Sequence, residues 1–347
     1  MRYRNILITG GAGFAGSNLA VYFKERYPKT EVFSLDNLVR RGSEFNLPRL
    51  KKAGVKFIRG DVRRPKDLDF IPGIDLVIEC SAEPSVLAGY EKPAYIIDTN
   101  LNGTVNCLEF CRRRKADIIF ISTSRVYPYD RINAIGRREK ATRFEWKDFS
   151  GVGTGFPLTG LRTLYGATKL SSELILQEYA AAYGFKSVVN RCGVLAGPWQ
   201  FGKVDQGVFT YWMLAHYFKR PLKYIGFGGE GKQVRDLLHV DDLCSLVDMQ
   251  AGILDKINGN TYNVGGAGEV NLSLLEATGL CRKITGNKIK IGSDKRNRPG
   301  DIAIYITDNR EVTRQLKWKP RKQPVAILKD IFGWIRRHEP MLKKLIM

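Results

Sequence analysis

Short apolar runs punctuate the first half of the chain at about 4–9, 31–36, 55–60, 75–80, 116–122 and 186–192, each bounded by Gly, Asp or Asn. Runs of that length between turn-forming residues predict strands. The long amphipathic segments 14–26, 100–114 and 165–183 lie between some of them and predict helices. Strand and helix alternating in this way build right-handed βαβ units, and hence six parallel strands covered by helices.

Beyond about residue 190 the alternation weakens. Gly, Pro and aromatic residues crowd 193–232, helical periodicity returns around 241–254, and 259–347 mixes short strands with helices. The expected organisation is therefore α/β: a doubly wound Rossmann sheet over 1–189, with 236–258 packing back on it, and a smaller mixed α/β domain built from 190–235 and 259–347. The Gly-rich stretch 150–160 precedes a predicted helix, where a mobile loop over a site is expected. No internal repeat or low-complexity tract interrupts this pattern.

Composition narrows the picture. A 347-residue chain that is 44% apolar can bury a full core. Its apolar runs are strand-length, well short of the roughly 18 residues of a membrane span, and its start shows no signal-peptide pattern, so a cytoplasmic location is expected. Six scattered cysteines form no C-x-x-C pair and have no histidine at ligand spacing, so reduced thiols and no metal are expected. A net charge of +21 attracts polyanions in general. The basic residues are dispersed and not interleaved with aromatics, which predicts a solvated basic surface and neither a nucleic-acid nor a membrane partner.

The chemistry begins at the first strand. Ile6-Leu7-Ile8-Thr9-Gly10-Gly11-Ala12-Gly13-Phe14-Ala15-Gly16 runs from strand through a glycine-rich turn into a helix, so a pyrophosphate can approach backbone N–H groups at the helix start. Asp36 ends the second strand about 20 residues beyond the last glycine, where its carboxylate can accept from the adenosine ribose hydroxyls and repel a 2′-phosphate. NAD is thus preferred over NADP. Arg40 and Arg41 follow closely and weaken the preference, because guanidinium groups can accommodate that phosphate.

A second constellation lies in Tyr165-Gly166-Ala167-Thr168-Lys169, which puts a phenol and an ammonium on one helix face. A phenol needs a nearby cation to serve as a base near neutral pH. A hydroxyl from Ile121-Ser122-Thr123-Ser124-Arg125-Val126-Tyr127, at the end of the fifth strand, would align the substrate oxygen. Tyr-x-x-x-Lys alone is common on helix surfaces. Its occurrence after the glycine turn, Asp36 and the Ser/Thr strand end is far more specific.

With these features in this order, the chain resembles the extended short-chain dehydrogenase/reductases over nearly its whole length. The resemblance implies Thr123, Tyr165 and Lys169 as the catalytic triad and Asn100 on the cofactor side. It further implies cofactor contacts from Gly10, Gly13, Phe14, Ala15, Asp36, Asn37, Asp61, Val62, Ser81, Ala82, Glu83 and Cys192, and from Tyr165 and Lys169 as well. Where the 4,6-dehydratases of the family carry Thr-Asp-Glu, this chain reads Thr123-Ser124-Arg125, so dehydration is not expected. Where 4-epimerases show an Asn facing the diphosphate, it has Arg191-Cys192-Gly193-Val194, which argues against ordinary 4-epimerisation. The blocks 83–89, 122–127, 190–197, 200–202 with Asp205-Gln206-Gly207, and 231–236 are similar to the CDP-paratose 2-epimerases.

That resemblance implies tightly held NAD, a CDP-sugar substrate, and a homodimer or homotetramer. It also implies substrate contacts from Ser85, Ser124, Arg125, Asn190, Phe201, Gln206, Gly207, Arg235, Arg298 and Asp301, with Arg235 and Arg298 facing the diphosphate. In a 3-deoxy sugar, carbon 2 is not adjacent to carbon 4, so direct oxidation at carbon 2 is the expected route. His239, near Asp236, is expected to be structural. The competing readings are a UDP-sugar 4-epimerase, a net NAD-dependent dehydrogenase, and a non-catalytic NAD-binding scaffold or RNA-binding protein, a class that usually lacks the Tyr-Lys pair.

Overall fold

Strand β1 (Asn5–Thr9) is buried along almost its whole length, as its unbroken apolar run requires of a central strand. The computed structural model describes residues 2–202 and 206–346; Asp205 of the sequence motif lies outside them. After β1 the chain turns at Gly10, whose φ of +61° suits glycine, and a Cβ there would lie 2.8 Å from the Cys80 carbonyl oxygen. Helix α1 (Phe14–Arg26) follows, then β2 (Glu31–Asp36), β3 (Lys56–Arg59) and β4 (Leu76–Glu79). Helix α2 (Gly103–Arg114), β5 (Asp117–Thr123), α3 (Leu164–Tyr183), β6 (Ser187–Cys192), α4 (Val240–Ile253) and β7 (Asn260–Val264) complete this part of the chain.

The strands form one sheet in the order β7-β6-β5-β4-β1-β2-β3. The ladders joining β3, β2, β1, β4 and β5 are parallel, with Ile6 opposite both Val32 and Leu76. The six expected strands are all present. The seventh, β7, was not anticipated: Asn260-Thr261-Tyr262-Asn263-Val264 mixes polar and apolar residues and gives no clear strand signal. The core beneath the sheet joins Leu7, Phe33, Val77, Phe120 and Val189 to Leu108 and Phe110 of α2 and Leu176 of α3.

The chain divides into two compact units: residues 1–123, 164–191 and 243–262, and residues 124–163, 192–242 and 263–347. Three expectations need correction. Residues 124–163 belong to the second unit, because they carry the hairpin Arg137–Glu139 with Phe144–Trp146, and the Phe144 N–H donates to the Lys232 carbonyl. That excursion also makes the second unit comparable in size to the first, not smaller. The expected mobile loop at 150–160 is in fact anchored at Val152. This residue is fully buried and bridged to Thr307, and its N–H donates to the Ile306 carbonyl while its own carbonyl accepts from Asp308 and Asn263.

The second unit is built around the strand Val234–His239, paired with Asn271–Ser273 antiparallel and with Ile304–Tyr305 and Val194–Ala196 parallel. Its core gathers Phe209, Trp212, Met213, Leu237, Ile331 and Trp334. Helix Leu274–Thr285 opens on a capping box, with Ser273 Oγ accepting from the Glu276 N–H and the Glu276 carboxylate accepting from the Ser273 N–H.

Candidate active site

In the first unit, the glycine turn shapes one wall of a cavity lined by Gly10, Gly13, Asp36, Asn37, Arg40, Asp61, Val62, Ser81, Ala82 and Glu83. Gly13 begins α1 without a side-chain cap, so the first N–H groups of the helix, those of Phe14 and Ala15 among them, lack a side-chain acceptor from the cap and offer themselves to an anion. At Gly16 a Cβ would sit 2.3 Å from the Gly10 carbonyl oxygen, so this position must be bare for α1 to start so close to the turn.

Asp36 is fixed by the backbone. Its Oδ1 accepts from the Leu38 N–H at 2.8 Å and its Oδ2 from the Ala12 N–H at 3.1 Å. Burial pushes its pKa up, against the lowering effect of those N–H groups. Beside it, Asn37 Nδ2 donates to Asp61 at 3.0 Å, and Arg63 grips the same carboxylate through Nε and Nη2. Burial works to raise the Asp61 pKa, but the Arg63 and Asn37 hydrogen bonds outweigh it and bring the pKa down to about 2. An uncapped helix start over a bare glycine turn, with a fixed carboxylate at the end of β2, suits the pyrophosphate and adenosine ribose of a dinucleotide.

Asn100 is fully buried and acts as a clamp: its Oδ1 accepts from the Glu83 N–H at 2.8 Å, and its Nδ2 donates to the Glu83 carbonyl and the Thr168 hydroxyl. It thereby holds the backbone of one cavity residue against α3. Thr123 ends β5, nearly buried, and Tyr165 and Lys169 stand on successive turns of α3. Lys169 is 1% exposed. Its Nζ lies 3.5 Å from Glu79 Oε2 and 3.8 Å from the centre of the Phe120 ring. One turn further along α3, Glu173 accepts from Ser122 and forms a buried ion pair with Arg191 at 2.7 Å. Glu79 was not anticipated, although one carboxylate closing the run Leu76-Val77-Ile78 was a signal that could have found it.

The second unit holds a cavity of about 560 Å³ lined by Arg125, Gln206, Gly207, Arg235, Arg298 and Asp301, with Tyr211 and Trp212 as aromatic walls. Arg235 Nη2 pairs with Asp301 Oδ1 at 2.8 Å, and Arg125 Nη1 donates to the Gly300 carbonyl at 2.9 Å. Burial brings the Arg235 pKa down to about 10, opposed by the Asp301 carboxylate. Three guanidinium groups against one carboxylate leave this cavity cationic, which suits a diphosphate.

Several of the expected contact residues are engaged within the protein itself. Asn190 is fully buried and exchanges two hydrogen bonds with Gln250, which uses its amide in the core of the first unit. Ser85 caps the short helix Val86–Glu91, its Oγ accepting from the Ala88 N–H. The Phe201 ring packs edge-on against Trp334 at 5.8 Å, drawn into the aromatic core, and Ser124 opens a 3-10 turn; neither lines the arginine cavity. Cys192, expected at the cofactor, is nearly buried in the second unit and lines neither cavity. His239 is likewise buried, its Nδ1 accepting from the Asp241 N–H.

All six cysteines are free thiols. Among the described residues, no group of His, Cys, Asp and Glu gathers that could hold a metal ion, and no helix is long and apolar enough to cross a membrane.

The fold defines a dinucleotide-binding α/β protein of the doubly wound class. The chain belongs to the NAD dependent epimerase/dehydratase family, whose model matches residues 6–265. NAD is the cofactor of that family and of this chain. Over 339 residues the chain is 29% identical to the CDP-paratose 2-epimerase of Salmonella typhi, covering 95% of this chain and 98% of that one. It is 28% identical to the dTDP-glucose 4,6-dehydratase of Streptomyces antibioticus, covering 98% and 96%. The UDP-glucose 4-epimerase of Thermus thermophilus, solved in complex with NAD, superposes with a TM-score of 0.77 at 25% identity, covering 96% of this chain and 99% of that one. Its relatives are thus nucleotide-sugar epimerases and dehydratases.

Proposed function

We propose that the protein epimerises a nucleotide-diphosphate sugar at carbon 2, with CDP-paratose to CDP-tyvelose as the favoured conversion. The observation that carries the epimerase reading is the end of β5. Thr123 stands there, followed by Ser124 and by Arg125, whose guanidinium turns to the Gly300 carbonyl. The two positions that hold an acid pair in the dehydratases thus offer no carboxyl group to eliminate water. The CDP-sugar and the carbon-2 position rest on the similarity to the Salmonella typhi enzyme along almost the entire chain.

In this reading Arg235, Arg298 and Arg125 hold the diphosphate, and Asp301 keeps Arg235 in place. Thr123 donates a hydrogen bond to the oxygen on carbon 2. Tyr165 takes the proton from that hydroxyl, and Lys169 favours the phenolate electrostatically. Bound NAD supplies a reversible store for the hydride. Once carbon 2 is a ketone that has turned its other face, Tyr165 would give the proton back to its oxygen. Asp36, Asn37 and Asp61, with the α1 N-terminus, hold the adenosine end of the cofactor.

The test is incubation with a panel of CDP-, UDP- and dTDP-sugars in deuterated water, followed by NMR of the products. Inversion at carbon 2 with no solvent deuterium there is the expected outcome, because the same hydrogen leaves and comes back. Inversion at carbon 4, accumulation of NADH, or deuterium at carbon 2 would overturn this reading.

A further inference from the structure

We infer that Glu79 is a positioning residue for Lys169, tying the active-site ammonium to the wall of the cofactor cavity. The inference rests on the function proposed above in taking Lys169 as the partner of Tyr165. Glu79 ends β4, and its side chain is fully buried, as is that of Lys169. A buried carboxylate is costly unless a cation and hydrogen-bond donors meet it. Here the Ser81 hydroxyl donates to Oε1 at 2.5 Å, while Oε2 accepts no hydrogen bond and is met by Lys169 Nζ at 3.5 Å.

Ser81 Oγ also lies 3.0 Å from Thr9 Oγ1, the residue just before the glycine turn, and Ser81 itself lines the cofactor cavity. A continuous polar chain therefore runs from Lys169 through Glu79 and Ser81 to the start of the turn. The Phe120 ring, 3.8 Å from Nζ, closes another side of the ammonium. Lysine has a long, flexible stem, and an ammonium that wandered among rotamers would support the phenol of Tyr165 in a fraction of the molecules. Glu79 removes that freedom, and it acts on the reaction through Lys169.

A double-mutant cycle tests this. Glu79→Gln is expected to lower kcat at least tenfold while leaving the KM for the sugar nucleotide within twofold. Added to Lys169→Met, the same change is expected to cost less than twofold, since its effect passes through the missing ammonium. Wild-type kcat in Glu79→Gln, or an equal loss in both backgrounds, would overturn the inference. Should Glu79→Gln fail to fold, Ser81→Ala keeps the ion pair but cuts its link to the cavity. A several-fold fall in kcat at constant KM is then expected, and an unchanged kcat counts against the idea.

A further arm uses no sugar. Reductive methylation read by mass spectrometry is expected to spare Lys169 in the wild type and to modify it in Glu79→Gln; equal protection would refute the anchoring. Because this arm is independent of turnover, a wild-type protein inert towards every nucleotide sugar would count against the proposed function and leave this inference to be judged separately.

Discussion

Asn190 and Gln250 form a closed amide pair, each donating to the other's carbonyl oxygen at 2.8 Å in a wholly buried setting that joins β6 to α4. Removing one partner strands the other's polar atoms away from water. Asn190→Ala is therefore expected to destabilise the protein by about 1–3 kcal/mol. Replacing both residues with leucine should recover much of that loss, because no orphaned amide remains. Chemical denaturation measures both effects. Sugar-nucleotide KM should stay at the wild-type value in Asn190→Ala; a large rise in KM without loss of stability would restore Asn190 to the substrate site.

Asp36 is expected to set the choice between the two nicotinamide cofactors. Its carboxylate is held by the Leu38 and Ala12 N–H groups, and Arg40 lines the same cavity. Asp36→Asn removes both the charge-assisted bonds to the ribose and the repulsion of a 2′-phosphate. NAD binding should weaken by about 10- to 100-fold, the worth of one or two hydrogen bonds to a charged group, while NADP binding should improve. Titration calorimetry with each cofactor checks the two directions, and a variant that keeps the wild-type ratio would sink the assignment.

What could be read in the sequence was what depends on local pattern. Ile6 to Thr9, Val32 to Asp36 and Ile118 to Ser122 carry their strand signal in consecutive residues, and Gly10 to Gly16 with Asp36 carry the cofactor site in spacing alone. What escaped depends on partners distant in the chain. Nothing near Asn190 announces Gln250 sixty residues later, so a buried structural amide passed for a ligand contact. Glu79 needs Lys169, ninety positions on, before its burial makes sense. The excursion 124–163 has no periodicity that assigns it to a unit; the Phe144 bond to Lys232 and the Val152 bridge to Thr307 do so. Phe201 was expected at the sugar only through the family resemblance, and Trp334, against which its ring packs, lies near the chain end.

Asp236 gives the fold a pH dependence of predictable sign. It is fully buried in the strand Val234–His239, its Oδ2 accepting from the Thr307 and Ala267 N–H groups at 3.1 and 3.3 Å. Burial pushes its pKa up from 3.8 to about 6, more than the hydrogen bonds from Thr307, Ala267 and Gly266 bring it down. Arg235 and Tyr305 are the other titratable groups coupled to it. Because the folded state holds this proton more tightly than the unfolded chain, the group's stabilising contribution is complete below about pH 4. It is lost as pH rises through about 6, by at most about 3 kcal/mol. Asp236→Asn presents a neutral side chain at every pH and lacks this loss. The difference in unfolding free energy between wild type and Asp236→Asn should therefore shift in favour of the variant between pH 4 and 7, then level off. Urea denaturation across that range isolates the effect, since all other titrating groups are common to both proteins; a difference that stays flat, or runs the other way, would show that the fold does not raise the pKa of this carboxylate.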